Sequence, residues 1–109
     1  PSHHSTKEYQ DYAAVMKKYY PTGDVADSLN ANGYVIAMTT VEVLRRAGDN
    51  LTRENIMKIA ANLDLAVPML APGIKVKTTP SDFHAVGQLQ LTKFAGSRFE
   101  PFGGVIDGN

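Results

Sequence analysis

The stretch "LRRAGDNLTREN", residues 44–55, joins two helical patterns, and its reading decides the fold. Arg45 and Arg46 fall in the last turn of the first pattern, where cations oppose the negative end of the helix dipole, and Gly48 suits a left-handed C-cap. Thr52 then caps a new helix, with Glu54 near its positive end and Leu51 placed to staple onto Ile56. Ile56, Ile59, Ala60 and Leu63 give that helix one apolar face. "Asn50-Leu51-Thr52" also matches an N-glycosylation acceptor, but the cap accounts for the threonine equally well and the match is read as chance.

Upstream of the joint, "YVIAMTTVEVLRRAG" carries apolar side chains at Tyr34, Ala37, Met38, Val41 and Leu44. Val35, Ile36 and Val43 widen the stripe, which predicts a helix buried on most sides. The preceding "PTGDVADSLNANG" is dense in turn formers and reads as a loop ending at Gly33. Residues 5–20, "STKEYQDYAAVMKKYY", open with Ser5 three positions before Glu8, a capping-box spacing. Tyr9, Tyr12, Ala13, Met16, Tyr19 and Tyr20 then recur at helical spacing until Pro21 stops the run, giving an amphipathic helix of about four turns. Tyrosines so spaced are better read as a core face with hydroxyls at its rim than as an aromatic binding platform.

Downstream, Pro68, Pro72, Gly73 and Pro80 exclude helix and leave one short extended piece at Ile74–Lys77. "VGQLQLTKF" alternates with period two and is followed by "AGS" and "RFEPFGGVI", a hairpin signal with a glycine-containing turn. The expected order is three helices, a short strand and a C-terminal β-hairpin, with no internal repeat.

Composition narrows the function. A chain of 109 residues with 43% hydrophobic and 20% charged residues is globular and suffices for one modest core. Lys+Arg 11 against Asp+Glu 11 leaves no net charge, which argues against a nucleic-acid partner. There is no cysteine, hence no disulfide framework and no thiolate metal site. No apolar run approaches the roughly 20 residues needed to span a bilayer, and the N-terminus lacks a signal-peptide pattern. The sequence begins at Pro1 without an initiator Met, as expected of a processed or truncated product.

Few constellations invite chemistry. His3, His4 and His84 are poor zinc ligands, because adjacent tail histidines seldom converge with a distant third, so no metal is expected. Asp82 and His84 beside Ser81 match no nucleophile motif, and "TTPSD" reads as a turn; no catalytic residue and no cofactor is expected. Asp24, Asp27, Asn30 and Asn32 lack the ligand spacing and closing glutamate of a calcium loop. "PFGGVIDG" lacks the lysine and the strand–loop–helix setting of a phosphate loop. Helix, turn, helix and hairpin also describe a winged helix, with Arg53–Leu63 as recognition helix and Ala95–Arg98 as wing tip. Arg53 and Lys58 are its only cations, and Glu54 and Asp64 balance them.

Taken together, "GYVIAMTTVEVLRRAGDNLTRENIMKIAANL", "PMLAPGIKVKTTPSDFHAVGQLQLTKFAGSRFEPFGGVI" and "YAAVMKKYYPTGDVAD" resemble the C-terminal part of periplasmic substrate-binding proteins of ABC transporters. More narrowly, they resemble the branched-chain amino acid-type group, which has the type I two-lobed fold. The resemblance runs from about Lys7 to Ile106 and rests on the order of Gly33-Tyr34, Ala47-Gly48-Asp49, Leu51-Thr52-Arg53-Glu54-Asn55, Pro72-Gly73-Ile74 and Thr79-Pro80-Ser81-Asp82-Phe83. It implies an α/β chain, residues 1–109 being a single C-terminal fragment of a two-lobed solute-binding protein. It further implies a periplasmic location, a membrane permease as partner, and an amino acid or related small carboxylate, aromatic acids included, as ligand. The principal ligand contacts of such proteins lie upstream of the matched region. Tyr34 and nearby Asn32 are the weak ligand-facing candidates, and packing at the helix start is the stronger reading of Tyr34. Self-association through the apolar faces of the first two helices and the hairpin edge is also expected.

Overall fold

The computed structural model describes residues 6–108. Three helices come first: α1 (Lys7–Tyr19), α2 (Ser28–Ala47) and α3 (Arg53–Ala60). Four strands follow, β1 (Asp64–Leu65), β2 (Val76–Lys77), β3 (Gln88–Phe94) and β4 (Phe99–Asp107). The strands form two separate two-stranded sheets, β1 with β2 and β3 with β4, both antiparallel. Three helices, short strands and a C-terminal hairpin make this a mixed α/β chain, in the order that the helix caps and breakers predict.

The joint at residues 44–55 forms as its residues require. The Gly48 N–H donates to the Leu44 carbonyl at 3.2 Å, and Gly48 takes a φ of +56°, which a side chain would strain. Thr52 caps α3 by accepting from the Asn55 N–H at 3.3 Å, while its own hydroxyl donates to Asn50 Oδ1 at 2.9 Å. The threonine of the glycosylation match is thus occupied in the cap. Leu51, placed by spacing to staple onto Ile56, is 60% exposed.

Three expectations about the helices need correction. The cap of α1 is Thr6, whose hydroxyl accepts from the Tyr9 N–H at 3.3 Å; Ser5, the expected capping-box residue, lies outside the described residues. Helix α2 starts at Ser28 rather than Tyr34, because Asp27 caps it by accepting from the Leu29 N–H at 2.8 Å. One cap and twenty residues of ladder outweigh the cost of about 1 kcal/mol for Gly33 inside the helix. Nor is α2 buried on most sides: Val35, Val43 and Ala47 are buried, whereas Leu29, Ile36, Val41 and Leu44 lie on exposed faces. The expected extended piece at Ile74–Lys77 contracts to Val76–Lys77, which pairs with the unanticipated β1 in the register Asp64↔Lys77 and Leu65↔Val76.

Two apolar clusters result. Val35 and Val43 of α2 pack with Leu63, Val67 and Val76, and Ile56 and Ile59 of α3 close over them. Leu63 belongs to this core although it lies beyond the end of α3. Thr78, the residue after β2, locks the α3 end to that strand: its hydroxyl donates to the Ala60 carbonyl at 2.7 Å and accepts from the Leu63 N–H at 2.9 Å. The second cluster is the α1 face, with Tyr9, Tyr12 and Met16 packed on Val25, Ala31 and Tyr34. The first half of the tyrosine stripe is thus a core face, whereas Tyr19 and Tyr20, expected to share it, are 72% and 53% exposed at the end of the helix. Met69 touches both clusters.

The hairpin stands apart. It turns at residues 95–98, where the Ala95 N–H donates to the Arg98 carbonyl at 2.7 Å. A bulge displaces its register between Gln90 and Thr92, and the Gln90 side chain fills the gap by donating to the Phe102 carbonyl at 2.9 Å. At its base the Gly108 N–H donates to the Gly87 carbonyl at 2.9 Å, and the Lys75 N–H donates to Gln88 Oε1 at 3.1 Å.

Candidate functional site

The concave surface of the described residues is organised by the segment Ala66–Pro72. Pro68 and Pro72 bar regular structure there, and Met69 takes a φ of +75°, an uncommon conformation for a residue with a side chain. The turns close through the Leu70 N–H to the Val67 carbonyl at 3.3 Å and the Ile74 N–H to the Ala71 carbonyl at 3.0 Å. This loop forms a ridge with a depression on either side.

The larger depression, about 510 Å³, lies between the whole ridge and the first turn of α1, from which Thr6 and Glu8 contribute. Its wall is largely apolar, and among the described residues the exposed Glu8 carboxylate is the one charged group that lines it. The smaller one, about 260 Å³, lies between Ala66–Pro68 and α2, where Met38, Glu42 and Arg45 line it. Glu42 is fixed by two guanidinium partners: Arg45 Nε donates to one oxygen at 3.0 Å and Arg46 Nε to the other at 2.8 Å. Hydrogen bonds from Arg45 and then Arg46 hold its carboxyl below the usual carboxylate range. Such surfaces can seat an apolar group beside a polar rim. The segment was read from sequence only as a helix breaker; the signal that could have found the ridge is Val67, Met69 and Leu70 interleaved with Pro68 and Pro72.

The two residues singled out as ligand-facing are not brought together. Tyr34 is half-buried, its ring tilted on Tyr12 at 5.3 Å between centroids, about two turns inside α2 rather than at its entry. Asn32 is exposed on the same helix, and residues two apart do not share a face. Neither lines either depression.

The other constellations are also placed. Asp82 Oδ1 accepts from the His84 N–H at 2.9 Å and lies 3.0 Å from its Nδ1, so acid and imidazole do meet. The backbone hydrogen bond, then the ring contact, hold the Asp82 carboxyl low. The His84 side chain is 91% exposed, and the Ser81 hydroxyl is 3.3 Å from Thr79 Oγ1 rather than against the imidazole. With the paired backbone bonds between Thr79 and Asp82, at 2.9 and 3.1 Å, these contacts build the expected turn. Asp24 and Asp27 each accept from a backbone N–H two residues on, at 2.8 Å, and act as turn and cap. Among the described residues no group of three or more His, Cys, Asp or Glu side chains is arranged to hold a metal; His3 and His4 lie outside them. No helix among the described residues is long and apolar enough to cross a membrane.

Comparison with curated proteins and with solved structures returns no match. Comparison with family models returns one, described as periplasmic binding protein, over residues 2–98. That span takes in all three helices, the ridge, both strands of the small sheet and the hairpin as far as its turn, and on this match the chain belongs to the periplasmic binding protein family.

Proposed function

We propose that residues 1–109 are the C-terminal part of the two-lobed, type I solute-binding component of an ABC transporter, acting in the periplasm on branched-chain or other amino acids or related small carboxylates, aromatic acids included. The observation that carries this reading is the family match over residues 2–98, which falls on the segments whose order suggests the narrower group. Exposed Leu29, Ile36, Val41 and Leu44 on α2, and Leu89, Phe94, Phe99 and Phe102 on the hairpin, support it: apolar faces this broad suit a chain that meets further protein.

On this reading the protein binds and does not catalyse. A small molecule touching both lobes stabilises a closed form, and the membrane permease recognises that form. The principal contacts to ligand carboxylate and ammonium lie upstream of this chain. Tyr34 and Asn32 are its own candidates for the cleft. Membership in a family of small-molecule binders leaves the winged-helix alternative without support, since the cations of α3 remain only Arg53 and Lys58.

The test is calorimetric titration of this chain and of its upstream-extended parent with leucine, glutamate, phenylalanine and benzoate. Saturable binding by the parent to one of these, with none by the isolated chain, is the expected result. Tight binding by the 109 residues alone would overturn the placement of the site upstream.

A further inference from the structure

Five asparagines lie among the described residues, and four have their side chains engaged. Asn30 Nδ2 donates to the Asp24 carbonyl, Asn50 Oδ1 accepts from Thr52, Asn55 Nδ2 donates to the Asn50 carbonyl and Asn62 Nδ2 donates to the Lys58 carbonyl. Asn32 is the exception: it is exposed and makes no side-chain hydrogen bond with any of the described residues. It is also the one asparagine in the sequence followed by glycine. A Cβ placed on Gly33 would meet no heavy atom within 4 Å outside its chain neighbours and the adjacent helix backbone, so no other segment packs over this position.

From this juxtaposition we infer that Asn32-Gly33 is a site of spontaneous deamidation, held in check by the N-terminal turns of α2 and released when they open. The Gly33 backbone nitrogen, losing its proton, attacks Asn32 Cγ, and the side-chain amide leaves as ammonia. Water then opens the cyclic imide at either carbonyl, giving aspartate or isoaspartate. Overall, one water enters and one ammonia departs. Glycine speeds ring closure because no Cβ hinders the attacking nitrogen. The α conformation slows it, because the Gly33 N–H is committed to the helix ladder and Asn32 cannot turn its Cγ onto that nitrogen. Opening is local, since Asn32 lies in the second turn of α2 and Asp27 is the cap that holds the first.

The check is peptide mapping by mass spectrometry of the full chain after incubation in mildly alkaline buffer, scoring conversion of Asn32. Conversion is expected to be slow in the folded chain and fast in urea. Asp27→Ala should accelerate it about five-fold, the equilibrium factor for a lost N-cap. Asp27→Ser, which keeps a capping oxygen, should restore the original rate. Gly33→Ala should suppress conversion. Val76→Ala weakens the core that α2 joins through Val35, beyond the first turn, and should accelerate conversion less than Asp27→Ala if opening is local. Equal rates in folded and urea-unfolded chain, no conversion in either, or acceleration by Val76→Ala matching that of Asp27→Ala would each overturn the inference. Should Asp27→Ala fail to fold, the Asp27→Ser, Gly33→Ala and Val76→Ala rates still decide it.

Discussion

The helical half of the molecule and its hairpin are both rich in apolar residues, yet they use them in opposite ways. In the helical half Tyr12 is 0% exposed and Leu63 5%, and side chains from α2, α3, β1 and β2 close one core while α1 closes another. In the hairpin Leu89 is 64% exposed and Phe99 65%, and order comes from the ladder, from the Phe94–Phe99 ring pair at 5.4 Å and from anchors at the base. An alternating pattern fixes which residues share a face of a sheet. It does not supply a partner for that face. A two-stranded hairpin is at best marginally stable alone, so in this chain the hairpin borrows its stability from the body to which it is tied.

The sharpest way to break this comparison is one substitution made in both places. Leu63→Ala should cost about 3 kcal/mol in urea unfolding followed by helical circular dichroism. Leu89→Ala should stay within about 0.5 kcal/mol. Equal costs would mean that the hairpin packs as tightly as the core. Next comes Thr78→Val, which strips partners from the half-buried Ala60 carbonyl and the buried Leu63 N–H and should cost about 2 kcal/mol; Thr92→Val on the exposed hairpin should be close to neutral.

A smaller effect of opposite sign is expected at Tyr12. Its hydroxyl is buried without a hydrogen-bond partner among the described residues, and burial, reinforced by nearby Tyr9, Asp27 and Asp24, pushes the phenol up. Tyr12→Phe should therefore be neutral or stabilising by up to about 1 kcal/mol, read as a raised Tm. The smallest effect is electrostatic. The carboxyls of Glu42, Asp64 and Asp82 are held low by Arg45 and Arg46, by Lys75 and by His84. A carboxyl depressed by folding stabilises above its unfolded value, and that stability disappears as pH falls through the folded value. The Arg45, Lys75 and His84 partners stand largely in solvent, so acidification below the ordinary carboxylate range should lower Tm only shallowly, and added salt should flatten the slope further.

How much of this was legible depended on whether the deciding interaction was local. Gly48, Thr52 and Pro21 announced helix ends because caps and breakers act within one turn. The start of α2 was obscured by Gly33 and its flanking turn formers, although Asp27 carried the capping signal in plain view. Burial was the harder matter. The apolar run in α2 shows a broad stripe, but which part is covered depends on Leu63, Val67 and Val76, which arrive from distant sequence. The ridge around Met69 was hidden for the same reason: prolines declare where helix is forbidden, not what surface the loop builds. Tyr34 was legible as a packed aromatic, but its partner Tyr12 was not.

Met69 carries a consequence of its own. Its side chain belongs to both apolar clusters, and its backbone adopts a conformation that a side-chain-bearing residue rarely takes. Such strain persists only when the surroundings over-determine it. The two clusters therefore share a keystone, and loosening either one releases strain that the other helps to hold. That arrangement makes melting cooperative across the helical half: α1 and the α2–α3 core are separate in packing but joined in fate.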